Sequence, residues 1–248
     1  MATLALTDVE ILAGPLRLTP RTNEVDLTME AAELDSTTFD SGGWEEKIIG
    51  LRKLMASTAG HYDASPIETG ALNYDSELFT ELTGGAQYPL TIGPTKTDGG
   101  VVYVAGFKRG SLSVGGQVGD ILPISSDMWG DGVAGRGALI HPANVLRTAG
   151  GTGNGVQLGT VATGRSLLVA IHVVAVSGTT PALTITVQRD DNAGFTTPTT
   201  VTTLGPVSAP TSSLVVVPGP ITPDDRYRIT WTLTGTTPSA RFGVAVAQ

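Results

Sequence analysis

The sequence contains no cysteine among its 248 residues. Disulfide bonds, thiolate metal sites, iron–sulfur clusters and cysteine nucleophiles are therefore excluded. Aromatic residues make up only 5% of the chain and charged residues only 15%, whereas glycine (32) and proline (15) are plentiful. This composition argues against a helical bundle or a coiled coil and favours short strands joined by turns. The 40% of apolar residues is enough to form a packed core, which argues against intrinsic disorder.

Long apolar runs are also missing. The most apolar stretch, SLLVAIHVVAV at 166–176, is shorter than the roughly 20 residues that cross a bilayer, and it contains His172. The opening MATLALTDVEILAGPLRL has no basic segment followed by a long apolar run, so a secretory signal peptide is not predicted. We therefore expect a protein that is neither inserted in a membrane nor exported.

Negative charge is concentrated in the first part of the chain. The formal net charge is −8 at pH 7, which argues against a surface that grips nucleic acid through its phosphates. The first 150 residues hold 10 Lys+Arg and 19 Asp+Glu, whereas the remainder holds 5 Arg and 4 Asp. This change predicts two domains, residues 1–147 and 156–248, joined by a glycine-rich linker over residues 148–155.

The second half is predicted to be an antiparallel β-sandwich. Short apolar or alternating runs are separated there by turn clusters such as SGTTP and TGTTPS, at a density typical of that fold. Threonine alternates with Leu, Ile or Trp in LTITV and ITWTLT, which places hydroxyls on one face and the core on the other. The predicted strands are GVQLGTV, SLLVAIHVVAV, ALTITVQ, TTVTTL, SSLVVV, YRITWTLT and RFGVAVA.

The first half is also predicted to be mainly β, although less regular. In VDLTMEA, Val25, Leu27 and Met29 alternate with polar residues, so Asp26 and Glu30 share the face opposite the core. Further strands are expected at 88–92, 101–107, 111–114 and 137–141.

One helix is predicted in YDSELFTELTGG. Its expected parts are Asp75 or Ser76 as the N-cap, Leu78, Phe79 and Leu82 on one side, and Gly84 as the stop. The glycine-rich connections around it, PTKTDGG and DMWGDGVAGRG, are long enough to be mobile.

Candidate loops for phosphate or metal binding carry competing interpretations. The segment 150–159, GGTGNGVQLG, superficially resembles a phosphate-binding loop, but a strand follows it where such a loop needs a helix. A linker is the favoured interpretation. Asp190, Asp191 and Asn192 supply oxygen atoms for calcium, but too few for a complete site, so a turn-holding role competes.

No catalytic motif is present in the sequence. His61, His141 and His172 lack the spacing that would bring two of them to one metal ion, and His172 is interpreted as a core histidine. There is no G-x-S-x-G nucleophile elbow. We therefore predict no catalytic, cofactor-binding or metal-binding residues, and elimination favours a structural or binding protein.

Residues 33–63, ELDSTTFDSGGWEEKIIGLRKLMASTAGHYD, carry a family resemblance. With DSELFTELTGGAQYPLTIGPT and GGQVGDILPI further along, the chain resembles the major tail tube proteins of long-tailed bacteriophages, especially those of actinobacterial hosts. The resemblance covers about residues 1–145. Residues 151–248 look like a β-sandwich module that recurs in phage virion proteins.

The resemblance implies a tail-tube-type β-sandwich or barrel with one short helix, followed by the C-terminal β-sandwich. It further implies a major tail tube subunit, a virion structural protein and not an enzyme, which is made in the host cytoplasm. Six subunits would join their inner sheets into a ring, and stacked rings would enclose the channel used in genome ejection. The implied partners are further copies of the chain and the tape measure, terminator and distal tail proteins. A loop or N-terminal arm commonly reaches the neighbouring ring in this family, and segments 93–100 and 115–137 are candidates.

An acidic channel would let DNA pass without specific binding, because it repels phosphates. We predict that Asp26 and Glu30 line that channel, although an ordinary solvated outer face is the competing interpretation. The C-terminal module is predicted to face outward.

Two other functions remain open at this point. One is a capsid decoration or head protein. The other is a glycan-binding β-sandwich that would use Trp231, Phe195 and Tyr227, although the alternation around Trp231 favours a core role for these aromatic residues.

Overall fold

Antiparallel strands dominate the structure, a computed structural model that describes residues 7–63 and 65–248. Strands make up 59% of the chain, which confirms the predicted mainly β fold. Within the described residues they form one continuous 14-stranded sheet. The strands are β1 Glu10–Ala13, β2 Leu16–Arg17, β3 Thr22–Asp35, β4 Lys47–His61, β5 Tyr88–Gly93, β6 Val101–Arg109, β7 Ser113–Val114, β8 Pro123–His141, β9 Gly151–Thr152, β10 Val156–Gln157, β11 Ser166–Asp190, β12 Thr199–Val207, β13 Thr211–Pro218 and β14 Arg226–Ala247; helix α1 is Tyr74–Gly84, and a 3₁₀ turn spans Phe39–Ser41.

A long ribbon of two strands, β11 and β14, organises the second half. The two strands pair antiparallel from Leu168 opposite Ala247 to Asp190 opposite Arg226. The predicted turns SGTTP and TGTTPS are therefore wrong, because both segments lie inside these strands. The segments face one another, and Gly178 and Gly235 adopt φ values of 123° and 124° there, so the strands bend together and continue to pair.

The two halves of this ribbon pack on each other. Val169 and Ile171 from the first half of β11 share a core cluster with Leu183 and Ile185 from the second half. The opposite face of the first half contacts the N-terminal part of the chain, where Leu168 packs with Val102, Val104 and Leu139. Because both faces are covered, residues 167–176 are all buried, whereas burial alternates over residues 182–188.

The predicted linker, residues 148–155, contains β9, which pairs with Thr230 and Trp231 of β14. The Trp231 indole Nε1 donates to the Ala149 carbonyl at 2.9 Å. A Cβ on Gly151 would lie 2.6 Å from the Trp231 ring, so this glycine permits close packing. In addition, β14 pairs with β8, so one sheet crosses the proposed boundary. The division into two separately folding domains stays a prediction.

Two buried histidines join the halves of the chain. His172 Nδ1 donates to the Gly14 carbonyl at 2.8 Å, and its Nε2 accepts from the Thr91 hydroxyl at 2.9 Å. His141 Nδ1 donates to the Phe242 carbonyl at 2.9 Å, and its Nε2 accepts from Arg147 at 3.1 Å. The interpretation of His172 as a core histidine with satisfied hydrogen bonds is confirmed.

The first half has its own core between two parts of the sheet. In one part β5 lies between β1 and β6, and in the other β4 lies between β3 and the beginning of β8. Helix α1 closes this core. The buried contributors include Ile11, Leu78, Leu90, Phe107 and Met128.

The helix occurs where it was predicted, but its details differ. Asn73 is the N-cap, and its Oδ1 accepts from the Ser76 amide at 3.2 Å. Gly85 ends the helix with φ 60°. Phe79 is 59% exposed, and the buried face instead includes Glu81. The expected apolar side is confirmed at Leu78, which is fully buried, and is wrong at Phe79. Glu81 can be buried because Arg109 supplies its partner.

The glycine-rich segment DMWGDGVAGRG was expected to be a mobile connection, and this is wrong. Its residues belong to β8. A Cβ on Gly137 would lie 2.0 Å from the Val246 carbonyl oxygen, and one on Gly130 would lie 2.9 Å from the Leu54 side chain. These glycines let neighbouring strands approach closely.

Candidate assembly surface

One part of the sheet has a face that residues 7–63 and 65–248 leave uncovered. We call it the open-edged sheet: β3, β4, residues 123–129 of β8, and β7, in that order. Along β8 the pattern alternates strictly, with Ile124 buried and Asp127 exposed. The core side is covered by the cluster of the first half, and the other side faces solvent.

The two predicted site residues, Asp26 and Glu30, both lie on this uncovered face and are exposed. Val25 and Leu27 pack against the core on the other side, as the alternation predicted. Asp26 lies opposite Ser57, which in turn lies opposite Asp127 on β8. The structure therefore places Asp26 in one row with a second carboxylate that was not singled out from the sequence.

The uncovered face is acidic with an aromatic centre. Trp129 is 55% exposed and lies between Met55 of β4 and Lys108 of β6. A Cβ on Gly110 would lie 2.4 Å from the Trp129 ring, so that ring packs on the Gly110 backbone. The charged residues of this face include Glu24, Asp26, Glu30, Lys53 and Asp127. Lys108 of β6 borders it and forms an ion pair with Asp131 at 3.1 Å.

A buried ion pair supports the open-edged sheet from behind. The Arg109 guanidinium donates to Glu81 Oε2, with 3.0 Å from Nε, and to the Ser126 hydroxyl at 2.5 Å. Burial raises the pKa of Glu81 to about 7, against the opposing effect of the Arg109 charge. Because Arg109 contacts both Glu81 of helix α1 and Ser126 of β8, it holds the helix against that strand. Ser126 is buried and directly precedes Asp127, which lies on the uncovered face.

Within the described residues, the edge at β3 is free, and the opposite edge is free at β7, whereas residues 128 and 129 of β8 pair there with β6. Strand β3 pairs with β4 alone, and β7 pairs with β8 alone. At 14 residues, β3 is a long edge strand. A long free edge presents a row of unpaired amides and carbonyls to which another strand can bind.

The end of the β3–β4 hairpin, residues 31–50, carries exposed apolar side chains, and we call it the arm. Its pairing continues to Asp35 opposite Lys47, and Lys47 forms an ion pair with Glu33. Phe39 is 110% exposed and Trp44 80% exposed at its tip. Other exposed apolar residues of the arm are Leu34, Ile48 and Ile49.

An apolar groove of about 380 Å³ runs between β3 and the strands β5 and β6. Its walls include Leu27 and Met29 on one side, and Ile92, Pro94 and Tyr103 on the other. The structure brings this groove next to the free edge of β3.

Sequence reasoning missed the arm, although the signal was present. The FDSGGW segment places two aromatic residues in a glycine-containing turn, where no core can form around them. The predicted neighbour-reaching segment 115–137 is divided by the structure: residues 115–122 form an exposed loop, whereas residues 123–137 belong to β8.

The aromatic residues considered for glycan binding are buried. Trp231 and Phe195 are each 6% exposed and Tyr227 is fully buried, so their predicted core role is confirmed. A glycan platform built on these three residues is wrong, because their rings face the core.

The Asp190 side chain stabilises its own turn by hydrogen bonds to the backbone. The Asp190 carboxylate accepts from the Asn192 amide at 2.9 Å and from the Thr197 amide at 3.0 Å.

Across residues 7–63 and 65–248, no group of three or more carboxylate or imidazole side chains is arranged to hold a metal ion. In the same ranges no helix has the length and apolar character needed to cross a membrane.

Comparisons with known proteins yield structural similarity at low sequence identity. No protein-family model matches the sequence, and no curated protein matches it. A chain of the native gene transfer agent virion is similar over 53% of this chain and 97% of its own length, with 18% identity and a TM-score of 0.43. The SPP1 tail tube is similar over 52% of this chain and 77% of its own length, with 14% identity and a TM-score of 0.40.

The SPP1 Dit protein, described as a paradigm of the hub adsorption apparatus, is similar over 96% of this chain and 98% of its own length. The identity is 14% and the TM-score 0.34.

Proposed function

We propose that the protein is a virion structural protein, the major tail tube subunit of a long-tailed phage, whose copies form stacked hexameric rings around a DNA-conducting channel. The observation that carries the proposal is the open-edged sheet, which among the described residues has a free strand at each edge and one uncovered face. The resemblance of residues 33–63 to tail tube proteins supports the same function.

In a closed ring each copy contacts two neighbours through two different surfaces, and the edges at β3 and β7 can serve as those surfaces. If the β3 edge of one copy pairs with the β7 edge of the next, every copy uses both edges. Such a head-to-tail interface either closes into a ring or continues as a filament. In a closed ring the sheets join into one barrel, which removes the free edges.

The uncovered face then lines the channel. Four carboxylates and one lysine of each subunit lie on it, namely Glu24, Asp26, Glu30, Asp127 and Lys53, and Lys108 at its border is paired with Asp131. Sixfold repetition turns this excess of negative charge into a charged ring, which acts on DNA within a Debye length of about 8 Å at physiological salt. DNA is repelled from the wall and passes without specific binding.

The arm provides contacts between successive rings. Large apolar side chains that are 80% or more exposed, as Trp44 is, mark an interface in a soluble subunit. In this function the arm packs against the adjacent ring, and the tape measure, terminator and distal tail proteins complete the tail.

Electron microscopy and native mass measurement of the purified protein test this function. Hexameric rings or tubes are expected, and the paired change Phe39→Ser with Trp44→Ser should leave rings but abolish stacking. The matched control is Phe79→Ser, which changes an exposed aromatic residue on helix α1. A protein that stays monomeric at high concentration with the other tail proteins present contradicts the proposal, as does a protein that binds capsid shells and forms no rings.

The channel position of Asp26 and Glu30 has its own test. Replacing both by Lys should preserve strand β3, since both side chains are exposed, and should slow DNA ejection from reconstituted particles, most strongly at low salt. Normal ejection from well-formed tails of this variant would show that Asp26 and Glu30 do not line the channel.

A further inference from the structure

The apolar groove between β3 and the strands β5 and β6 has a narrow end and a wide mouth. Its deeper end, where Leu54 of β4 and Phe107 lie, is nearly filled. Its mouth is lined by Leu27, Met29 and Tyr103, and no residue of β4 lines it. The mouth therefore faces away from β4, toward the free edge of β3.

Residues 7–63 and 65–248 leave the mouth partly open to solvent. Met29 is 50% exposed and Tyr103 36% exposed at its two sides. A strand placed along the free edge of β3 would cover it, provided that the strand carries apolar side chains on its core-facing side.

We propose that residues 114–122 of a neighbouring copy, VGGQVGDIL, fill this groove and lie along the free edge of β3. This contact rests on the proposed ring, in which it would join each copy to the next. The occupant is the segment that follows β7, the opposite edge of the same sheet.

The direction of the side chains agrees with this occupant. Val114 lies opposite Ile124, which is buried in the core, so Val114 lies on the core side of the sheet. Leu27 also lies on the core side, where it lines the groove. When two sheets join edge to edge, each face continues into the corresponding face of the next. Val114 of one copy therefore continues the row of groove residues in its neighbour.

Most of the segment is available for this contact; at its end the Leu122 carbonyl accepts from the Tyr62 amide of the same chain at 2.8 Å. Residues 113–122 are all exposed, and strand pairing ends at Val114. Val118 is 108% exposed and Ile121 71% exposed, so their apolar surface is uncovered in the single chain. The segment carries one charge, at Asp120, so most of it can enter an apolar groove without burying a charge.

Disulfide mapping tests the contact directly, because the chain has no cysteine of its own. The paired change Met29→Cys with Val118→Cys should give, after mild oxidation of the assembled protein, a ladder of covalent oligomers up to six chains. The matched control Met29→Cys with Phe79→Cys places the second thiol on exposed helix α1 and should give no ladder. Electron microscopy of each sample establishes whether rings are present.

The possible outcomes are separable. A ladder from Met29→Cys with Phe39→Cys, without one from the Val118 pair, would show that the arm occupies the groove and would overturn this proposal. Rings without any ladder would overturn it too, while the tube function stands. Absence of rings in the unmodified protein would overturn both proposals.

A substitution provides a second measurement. Val118→Asp should leave the monomer's circular dichroism and melting temperature unchanged, since the side chain is exposed, and should raise the concentration needed for ring formation at least about tenfold. Val216→Asp, at an exposed valine of β13, is the matched control and should leave that concentration unchanged. Equal effects of the two changes would contradict the groove contact.

Discussion

Acidification should destabilise the fold through its two buried histidines, His141 and His172. Burial lowers the pKa of each to about 4, from 6.5 for an exposed histidine. The Arg147 charge adds to this effect at His141. Each ring is neutral in the folded state at neutral pH and has both of its nitrogen atoms hydrogen-bonded.

The sign of the effect follows from proton binding. Between pH 6.5 and about 4 the unfolded chain binds a proton at each histidine and the folded chain does not, so stability falls as the pH falls. Each histidine contributes a slope of about 1.4 kcal/mol per pH unit, or about 2 kcal/mol between pH 6.5 and 5. Glu81 opposes this, because its pKa is raised to about 7 and its proton uptake favours the folded state as the pH falls.

Urea unfolding of the monomer, followed by circular dichroism between pH 4.5 and 6.5, measures the slope. His172→Gln keeps a donor and an acceptor near Gly14 and Thr91 but does not titrate. It should reduce the slope by about 1.4 kcal/mol per pH unit, whatever it does to absolute stability. A slope in His172→Gln equal to that of the parent would refute the reasoning.

Three further changes test the packing of the first half, each by urea or thermal unfolding. Arg109→Leu should cost about 3–5 kcal/mol, because it leaves the Glu81 carboxylate buried without its partner, and Glu81→Gln should cost less; equal losses would contradict the ion pair. Gly137→Ala should cost at least about 1–3 kcal/mol, because its Cβ would lie 2.0 Å from a carbonyl oxygen of β14, whereas Gly84→Ala, with free space around it, should be neutral or stabilising. Asn73→Ala should cost about 1 kcal/mol through loss of the helix cap, and no loss would show that the cap is dispensable.

Local patterns predicted the strands and their faces well. The alternation in VDLTMEA placed Asp26 and Glu30 opposite the core residues, as the structure does. The threonine alternation likewise separated Ile185 and Trp231, which are buried, from the hydroxyl face. These predictions succeed because successive side chains on a strand point to opposite faces whatever the strand packs against.

Glycine was harder to interpret from the sequence. Glycines in DMWGDGVAGRG and in the predicted linker indicated mobile connections, yet Gly137 and Gly151 lie in strands. A glycine has the same sequence signal whether it permits flexibility or close approach, and only the neighbouring strand distinguishes the two. The burial of Glu81 on helix α1 was not predicted for a related reason, because its partner Arg109 is 28 residues away along the chain.

The sequence by itself determined the mainly β class, the acidic first half, the apolar run at 166–176 and the polar face of β3, because composition and period-two alternation are local properties. The tertiary structure decided which strands became edges, that β11 and β14 form one bent ribbon joining both halves, and that the arm and the groove are left uncovered. Those features depend on contacts between residues far apart in the chain, and no local pattern specifies which distant strand supplies a partner.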